Sequence, residues 1–118
     1  MKISEAQEQA RVFEWVAWYK IRHPELGLLY AIANGGYRHK AEAANLKRQG
    51  IKAGMPDMCL PVARWGYHSM YIELKAVGGK LSEKQRKCIG ELEKEGNRVA
   101  ICYGADEAIQ ALKNYLGF

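Results

Sequence analysis

The stretch that decides the fold is AGMPDMCLPV at residues 53–62, followed closely by MYIELKAVGGK at residues 70–80. Each contains a short apolar run of the kind that forms a buried strand. We predict one strand over residues 57–62 and a second over residues 70–77, paired as a hairpin through the intervening ARWGYHS. Three charged residues interrupt these runs, and they require a chemical explanation: Asp57, Glu73 and Lys75.

The spacing of these charges predicts a site. Residues two apart on a strand share a face, so Glu73 and Lys75 project side by side. Pro56 and the flexible Gly54 place Asp57 at the start of the preceding strand. If the strands pair, the two carboxylates converge on one cation. Mg²⁺ is bound by such a small carboxylate set, with phosphate and water completing its shell. Lys75 then holds the attacking water or the developing negative charge, as in a phosphodiesterase.

A simpler interpretation stands beside this one. A Glu and a Lys two apart on a strand are most often a solvated pair with a weak ion pair, and Pro-Asp begins many turns. The combination favours the functional interpretation, because Pro-Asp begins one strand, the Glu and Lys lie between apolar residues on the next, and a glycine-rich turn then leads into a basic helix.

The rest of the chain alternates helical and strand patterns. Ser4 with Gln7 and Ser82 at the start of a later run give helix N-caps, and His23-Pro24 ends the first helix. Helices are predicted over residues 4–22, 37–50, 82–95 and 106–118, with further strands within residues 26–33 and 98–104. The order α, β, α, β, β, α, β, α predicts an α/β fold with a mixed sheet flanked by helices, in one domain spanning residues 1–118.

Composition narrows the function classes. The chain is 48% hydrophobic with a net charge of +5, which suits a soluble protein and permits a polyanionic partner. It has no apolar run near the roughly 20 residues of a membrane span, and its N-terminus is typical of a helix start. We therefore expect no membrane association and a cytoplasmic location. Three cysteines without a CxxC suggest neither a disulfide framework nor a zinc site.

The joint motifs resemble a known family. GMPD, YIELK, GGKLSEKQ and NRVAICYG, with SEAQEQARVFEW and ANGG upstream, are similar to the VRR-NUC domain of the PD-(D/E)xK superfamily, in its stand-alone phage or bacterial form. The resemblance covers almost the whole chain. It implies a restriction-endonuclease-like core and Mg²⁺- or Mn²⁺-dependent cleavage of branched DNA, such as four-way (Holliday) junctions or flaps, in the host cytoplasm if the protein is phage-encoded.

The resemblance also implies roles for individual positions. Asp57 and Glu73 become metal ligands, the Leu74 carbonyl a further one, and Lys75 the catalytic lysine. The family's acidic and glutamine positions on the first helix fall on Glu5 and Gln9, one turn apart, and Glu8 competes with Glu5 for the acidic role. Gln85 matches a polar position that faces the site and is a further catalytic candidate.

Basic residues supply a candidate nucleic-acid surface. On its own such a run is often only a solvated face, but beside a nuclease site phosphate contact becomes the stronger interpretation. Lys80 follows two glycines that resemble a phosphate-binding loop weakly, and a turn accounts for them equally well. The candidate residues are Arg38, His39, Lys40, Lys47, Arg48, Lys52 and Lys80.

The predicted function is a metal-dependent, structure-selective DNA endonuclease. The alternatives are a non-catalytic DNA-binding module with a nuclease fold and an RNA nuclease, since a site built on phosphate and metal does not itself read the sugar. A homodimer is also predicted, because one site cuts one strand whereas a four-way junction needs two symmetric cuts. Apolar residues available for its interface are Trp15, Trp18, Tyr19, Trp65, Tyr67, Tyr115, Leu116 and Phe118.

Overall fold

The described residues form four strands and four α-helices. The computed structural model describes residues 3–33 and 40–118, apart from the side chain of Lys40. The elements in chain order are α1 (Glu5–Tyr19), a 3₁₀ helix (Pro24–Leu28), β1 (Tyr30–Ala31), α2 (Lys40–Arg48), β2 (Met58–Leu60), β3 (Met70–Lys75), α3 (Glu83–Lys94), β4 (Arg98–Tyr103) and α4 (Ala105–Leu116).

The strands form one mixed sheet in the order β1-β2-β3-β4. β2 pairs with β3 in antiparallel register, with Cys59 opposite Tyr71, which confirms the predicted hairpin. β1 adds antiparallel to β2, and β4 adds parallel to β3. The parallel pair requires a crossover, and α3 provides it. The predicted α/β class with a mixed sheet flanked by helices is confirmed.

The main core covers one face of the sheet. Ile72 and Leu74 of β3 point into it and pack with α1 and α4, whose buried residues include Val12 and Leu112. β3 is buried at four of its six positions, and one of these is on the other face of the sheet. This is the environment into which Glu73 is placed.

Two helices begin as the sequence predicts. The Ser4 hydroxyl accepts from the backbone N–H of Gln7, and the Gln7 side chain accepts from the backbone of Ser4. Ser82 and Gln85 form the same reciprocal pair at the start of α3. The predicted capping box at Ser4 and the predicted N-cap at Ser82 are therefore confirmed, and each pair satisfies two amide groups that lack partners within the helix.

Several observed helices and strands are shorter than predicted. α1 ends at Tyr19 rather than at residue 22, and residues 24–28 form a 3₁₀ helix where part of the apolar run suggested a strand. Leu26 within that run is fully buried against the core, so its apolar pattern reflects packing rather than extended backbone. The strand that remains is Tyr30–Ala31. The Asn34-Gly35-Gly36 turn lies outside the described residues.

Candidate active site

Asp57 is fixed between two neighbouring strands. Its backbone N–H donates to the Ile72 carbonyl at 2.9 Å, and its own carbonyl accepts from the Ile32 N–H at 2.8 Å. Its carboxylate accepts from the backbone N–H of Leu74 at 2.7 Å. The main chain of Asp57 is thus held on both sides, and its carboxylate is oriented by the amide of Leu74.

Glu73 is the buried partner of Asp57. Only 2% of its surface is exposed, although it carries a carboxyl group on a central strand. Burial, together with contact with the Asp57 carboxylate, raises the pKa of Glu73 to about 9 against the opposing effect of Lys75. Its Oε1 atom has no hydrogen-bond partner. Two carboxyl groups in contact, one buried with an unsatisfied oxygen, form an arrangement that a proton or a cation would stabilise.

Glu5 and Lys75 meet where β3 ends. The Glu5 carboxylate accepts from the backbone N–H of Ala76 at 3.2 Å, and its negative charge acts on the Glu73 carboxyl. Glu5, Glu8 and Lys75 line one cavity of about 240 Å³. The start of α1 is thus brought against the end of the strand that carries the predicted catalytic lysine.

Glu8 is engaged elsewhere in that cavity. Its Oε2 atom accepts from the backbone N–H of Ala105, the first residue of α4. Its Oε1 atom also lies 3.6 Å from the guanidinium of Arg11. A carboxylate at a helix N-terminus stabilises that helix, which is a structural task. The geometry therefore favours Glu5 over Glu8 as the acidic residue next to the carboxylate pair, with Gln9 half-buried one turn further along α1.

The side chain of Gln85 and the backbone amide of Leu74 each form a hydrogen bond within the protein. The Gln85 Oε1 atom accepts from the Ser82 N–H at 2.9 Å, so this side chain caps α3, and its catalytic role stays a prediction. The Leu74 N–H donates a hydrogen bond to the Asp57 carboxylate, and Leu74 lies between Glu73 and Lys75 in the chain. Its carbonyl as a ligand likewise stays a prediction.

A basic groove is lined in part by the segment of chain that leads to Asp57. It is a cavity of about 540 Å³ whose apolar floor comes from α2 and residues 50–53, with Lys47, Lys52 and Lys84 among its lining residues. Gly54 makes this shape possible. Its φ of +91° is one that side chains rarely adopt, and a Cβ there would lie 2.8 Å from the Lys84 carbonyl oxygen. The glycine before Met55-Pro56 therefore allows the loop to touch the start of α3.

The predicted basic residues divide into three groups. Lys47 and Lys52 line the groove, whereas Arg48 and Lys80 are exposed outside its lining. Arg38 and His39 lie outside the described residues, as does the side chain of Lys40. Lys84 was missed, and the available signal was its place in the first turn of α3 immediately after the glycine-rich turn.

The residues present fit a divalent cation of the Mg²⁺ type. The described part of the chain contains no cluster of three or more His, Cys, Asp or Glu side chains suited to a metal. A Mg²⁺ ion does not require one, because it is commonly held by one or two carboxylates plus water and substrate phosphate. Asp57 and Glu73 supply those carboxylates, and the unsatisfied Glu73 oxygen supplies a free ligand atom. Oxygen donors of this kind suit Mg²⁺ and Mn²⁺ rather than softer metals.

Comparison with known proteins identifies the family of the chain. The family model described as the VRR-NUC domain matches residues 4–106. A solved structure of a "VRR_NUC domain protein" is similar with a TM-score of 0.79 and 28% sequence identity, over 99% of this chain and 93% of that one. No protein of curated function matches the chain significantly. Among the described residues, no helix is long and apolar enough to span a membrane.

Proposed function

Because this chain belongs to the VRR-NUC family and has a nuclease-type fold, we propose that it is a metal-dependent, structure-selective DNA endonuclease that acts on branched DNA such as four-way junctions or flaps. The proposal includes Mg²⁺ or Mn²⁺ as the cofactor and the cytoplasm as the place of action. Family membership supports the nuclease activity, and the basic groove supports a polyanionic substrate.

One observation carries the proposal. Glu73 is buried against Asp57 with an oxygen that has no hydrogen-bond partner. A purely structural strand would avoid this arrangement, because burying a carboxyl beside a second one is costly. A divalent cation removes that cost and is the type of ion that assists phosphodiester hydrolysis. The buried carboxyl pair, which destabilises the strand, is therefore the feature that the proposed function requires.

The side chains divide the chemistry as follows. Asp57 and Glu73 hold the cation, with the Leu74 carbonyl as a further ligand. When bound, Mg²⁺ or Mn²⁺ polarises the phosphodiester and lowers the pKa of a bound water. Lys75 positions the attacking water and stabilises the negative charge that develops on the phosphate oxygens. A bond forms between the water oxygen and phosphorus while one ester bond breaks. The attacking water gives its proton to solvent, and the departing alkoxide takes a proton from solvent.

Glu5 is proposed to support this site from α1. Its carboxylate is held by the Ala76 N–H, one residue after Lys75. From there its charge lies close enough to act on Glu73 and on a cation between the carboxylates. Glu8 holds the start of α4, and that helix packs on β4 and β3. The first helix thus contributes one residue to the site and another to the scaffold.

A homodimer is proposed as the working form. Of the candidate interface residues, Tyr115 is buried in the core, and Trp15 stacks on Phe118 within the same chain. Trp18 of α1 remains exposed at 77%, and so does Ile21, which follows that helix and was not among the predicted interface residues. Adjacent large apolar side chains at such exposure mark an association surface, and a two-fold contact through them would place two sites in fixed relation.

A panel of labelled substrates tests the proposed function. Duplex, single-stranded, flap and four-way-junction DNA and an RNA duplex are incubated with Mg²⁺, Mn²⁺ or EDTA, with the Glu73→Gln variant as a control for contaminating nuclease. The expected result is metal-dependent cutting near the branch by the wild type alone. Cutting confined to RNA would identify an RNA nuclease. Tight binding without cutting under every metal condition would identify a DNA-binding module and overturn the enzyme assignment.

A further inference from the structure

A row of three side chains crosses the sheet beside the carboxylate pair. Tyr30 of β1, Cys59 of β2 and Tyr71 of β3 are directly aligned partners. Residues directly opposite each other on paired antiparallel strands project to the same side of the sheet, so all three side chains lie on one face. The cysteine therefore sits between two phenol rings that are set at a fixed separation.

This row lies on the same face as Glu73. Tyr71 precedes Glu73 by two residues on β3, a distance of roughly 7 Å along a strand. Side chains two apart on a strand point to the same side of the sheet. The tyrosines are therefore next to the proposed hydrolytic site, although neither is part of it.

The two tyrosines line an open cavity of about 320 Å³. This volume falls at the lower end of the roughly 300–1,000 Å³ typical of small-molecule sites. Its wall is apolar and aromatic with one cation, and the side chains that define it are Tyr30, Ile32, Ile51, Lys52, Met55 and Tyr71. A flat ring, aliphatic walls and a single ammonium group match a nucleobase with its adjoining phosphate.

Tyr30 differs from the structural tyrosine of this fold. Tyr115 is buried, and its hydroxyl donates to the Val62 carbonyl at 2.6 Å. Tyr30 is 49% exposed on the two-residue edge strand β1, so its ring contributes little to the core. An exposed ring in a cavity beside a nuclease site is suited to stacking on a base, since every base presents a π-face.

We propose that this cavity binds one unpaired nucleobase of the substrate strand, stacked on the Tyr30 ring, while Lys52 contacts a neighbouring phosphate. The inference rests on the proposed nuclease function and extends it by naming a determinant of substrate choice. A base inside a continuous duplex is stacked and paired, and removing it costs a few kcal/mol. The cavity thus favours cleavage where a nucleotide next to the cut is already unpaired, as at a flap or junction.

Charge favours a nucleotide over an apolar peptide in this cavity. Lys52 lines both this cavity and the basic groove, so the two surfaces are continuous. The chain as a whole carries a net charge of +5. A strand whose phosphates follow the groove would therefore pass the mouth of the aromatic cavity on its way to the carboxylates.

An abasic scan tests the inference. The cut position is first mapped on a flap substrate, and single abasic residues are then placed at each of the neighbouring positions. At one position, loss of the base should lower kcat/KM of the wild type about tenfold, within the range expected for one base stacked on an aromatic ring. Tyr30→Ala should show the same loss on the intact substrate and no further loss on that abasic one. Tyr30→Phe keeps the ring and should behave as wild type.

Matched controls separate the possible outcomes. Leu28→Ala removes a comparably exposed large side chain of the 3₁₀ helix, outside this cavity, and should leave the abasic profile unchanged. If Tyr30→Ala proves unfolded by circular dichroism, Tyr30→Leu is measured in its place. Equal losses on intact and abasic substrates at every position would overturn the inference while leaving the nuclease assignment in place.

Failure of the nuclease assignment can be recognised separately. If the wild type cuts nothing, binding of the same fluorescent oligonucleotides is measured by anisotropy in EDTA. A tenfold preference for the base-containing strand that disappears in Tyr30→Ala would still support the cavity as a base site. Equal affinity of the wild type for intact and abasic strands would overturn it.

Discussion

The carboxylate of Asp57 accepts a hydrogen bond from the backbone N–H of Leu74 at 2.7 Å. The side chain of Asp57, one residue before β2, thereby provides the hydrogen-bond acceptor for a backbone amide of β3. This contact lies where the pairing of β2 and β3 ends. Leu74 is flanked by Glu73 and Lys75. The position of Asp57 relative to both charged residues is therefore set by backbone geometry rather than by flexible side chains.

This contact allows charge and hydrogen bonding at Asp57 to be separated. Asp57→Asn can still present an amide oxygen to the Leu74 N–H, so the melting temperature should change little. It loses the charge needed for a cation, and activity should fall by more than the roughly 10- to 100-fold typical of residues that only support a metal ligand. Asp57→Ala should lose activity equally and about 1 kcal/mol of stability as well, because the amide loses its partner. Near wild-type cleavage by Asp57→Asn at saturating Mg²⁺ would remove Asp57 from the site.

Glu73 should make stability depend on pH when no divalent cation is present. The pKa of Glu73 is about 9 in the folded protein, compared with roughly 4.3 for an unperturbed glutamate. Between these values the unfolded chain releases a proton that the folded chain retains. The contribution of this group to stability is therefore greatest below about pH 4 and is lost as pH rises towards 9.

The matched variant for this effect is Glu73→Gln, which keeps the volume and removes the ionisable group. In EDTA its melting temperature should exceed that of the wild type by an amount that grows between pH 5 and pH 9. Each kcal/mol corresponds to about 4 °C in a chain of this size. Added Mg²⁺ or Mn²⁺ should raise the wild-type value and leave Glu73→Gln almost unchanged. A difference between the two proteins that does not vary with pH would show that Glu73 is ionised in the folded state.

Glu5 and Glu8 should respond in opposite ways to the same substitution. Glu5→Gln should reduce cleavage with little change in melting temperature, because its carboxylate acts on the site from an exposed position. Glu8→Gln weakens the charged contact at the start of α4 and should cost about 0.5–1 kcal/mol in unfolding by urea, with activity retained. Loss of activity in Glu8→Gln alone, with normal stability, would exchange the two assignments.

The sequence predicts the central geometry because the charged residues lie on or next to short strands. Side chains in a strand alternate strictly between its two faces. Once β2 and β3 pair, Asp57 and Glu73 have to approach each other. The sequence does not show whether Glu5 or Glu8 approaches the site, since both lie in the first two turns of α1. Their positions depend on how that helix packs against β3 and α4. Lys84 was missed for a similar reason. Its place in the groove depends on a loop contact that Gly54 permits.

The tyrosine row shows a different limit. The alternation of β3 puts Tyr71 on the face of Glu73, and this can be derived from the sequence alone. Its alignment with Tyr30 cannot, because β1 is a two-residue strand that follows a 3₁₀ helix in a segment with no period of its own. Long-range pairing of so short a strand depends on the packing around it. A candidate substrate cavity built on that pairing becomes visible only in the folded chain.

The basic groove should contribute to DNA affinity through phosphate contacts. Replacing Lys47, Lys52 and Lys84 together by Ala should weaken binding, and each lost contact should reduce the slope of log K against log salt by about 0.9. The matched control replaces Arg48 and Lys80, which are equally basic but lie outside the groove lining. Filter binding over a range of salt concentrations gives both slopes. An unchanged slope in the groove variant would make Lys47, Lys52 and Lys84 an ordinary solvated surface.

The dimer is expected to form through the exposed end of α1. Trp18 and Ile21 should be covered in the assembly, so light scattering at micromolar concentration should give about twice the chain mass of 13.3 kDa. Trp18→Ser should shift this to the monomer value without unfolding the chain, because 77% of the Trp18 surface is exposed and little core packing is lost. Trp65→Ser is the control: Trp65 is similarly exposed at 73%, but its ring N–H donates to the Tyr115 carbonyl. If only the Trp65 substitution dissociated the dimer, the interface would be assigned to the hairpin loop instead. A mass of one chain, free and bound to a junction, would refute the dimer and make two successive monomer cuts the mechanism.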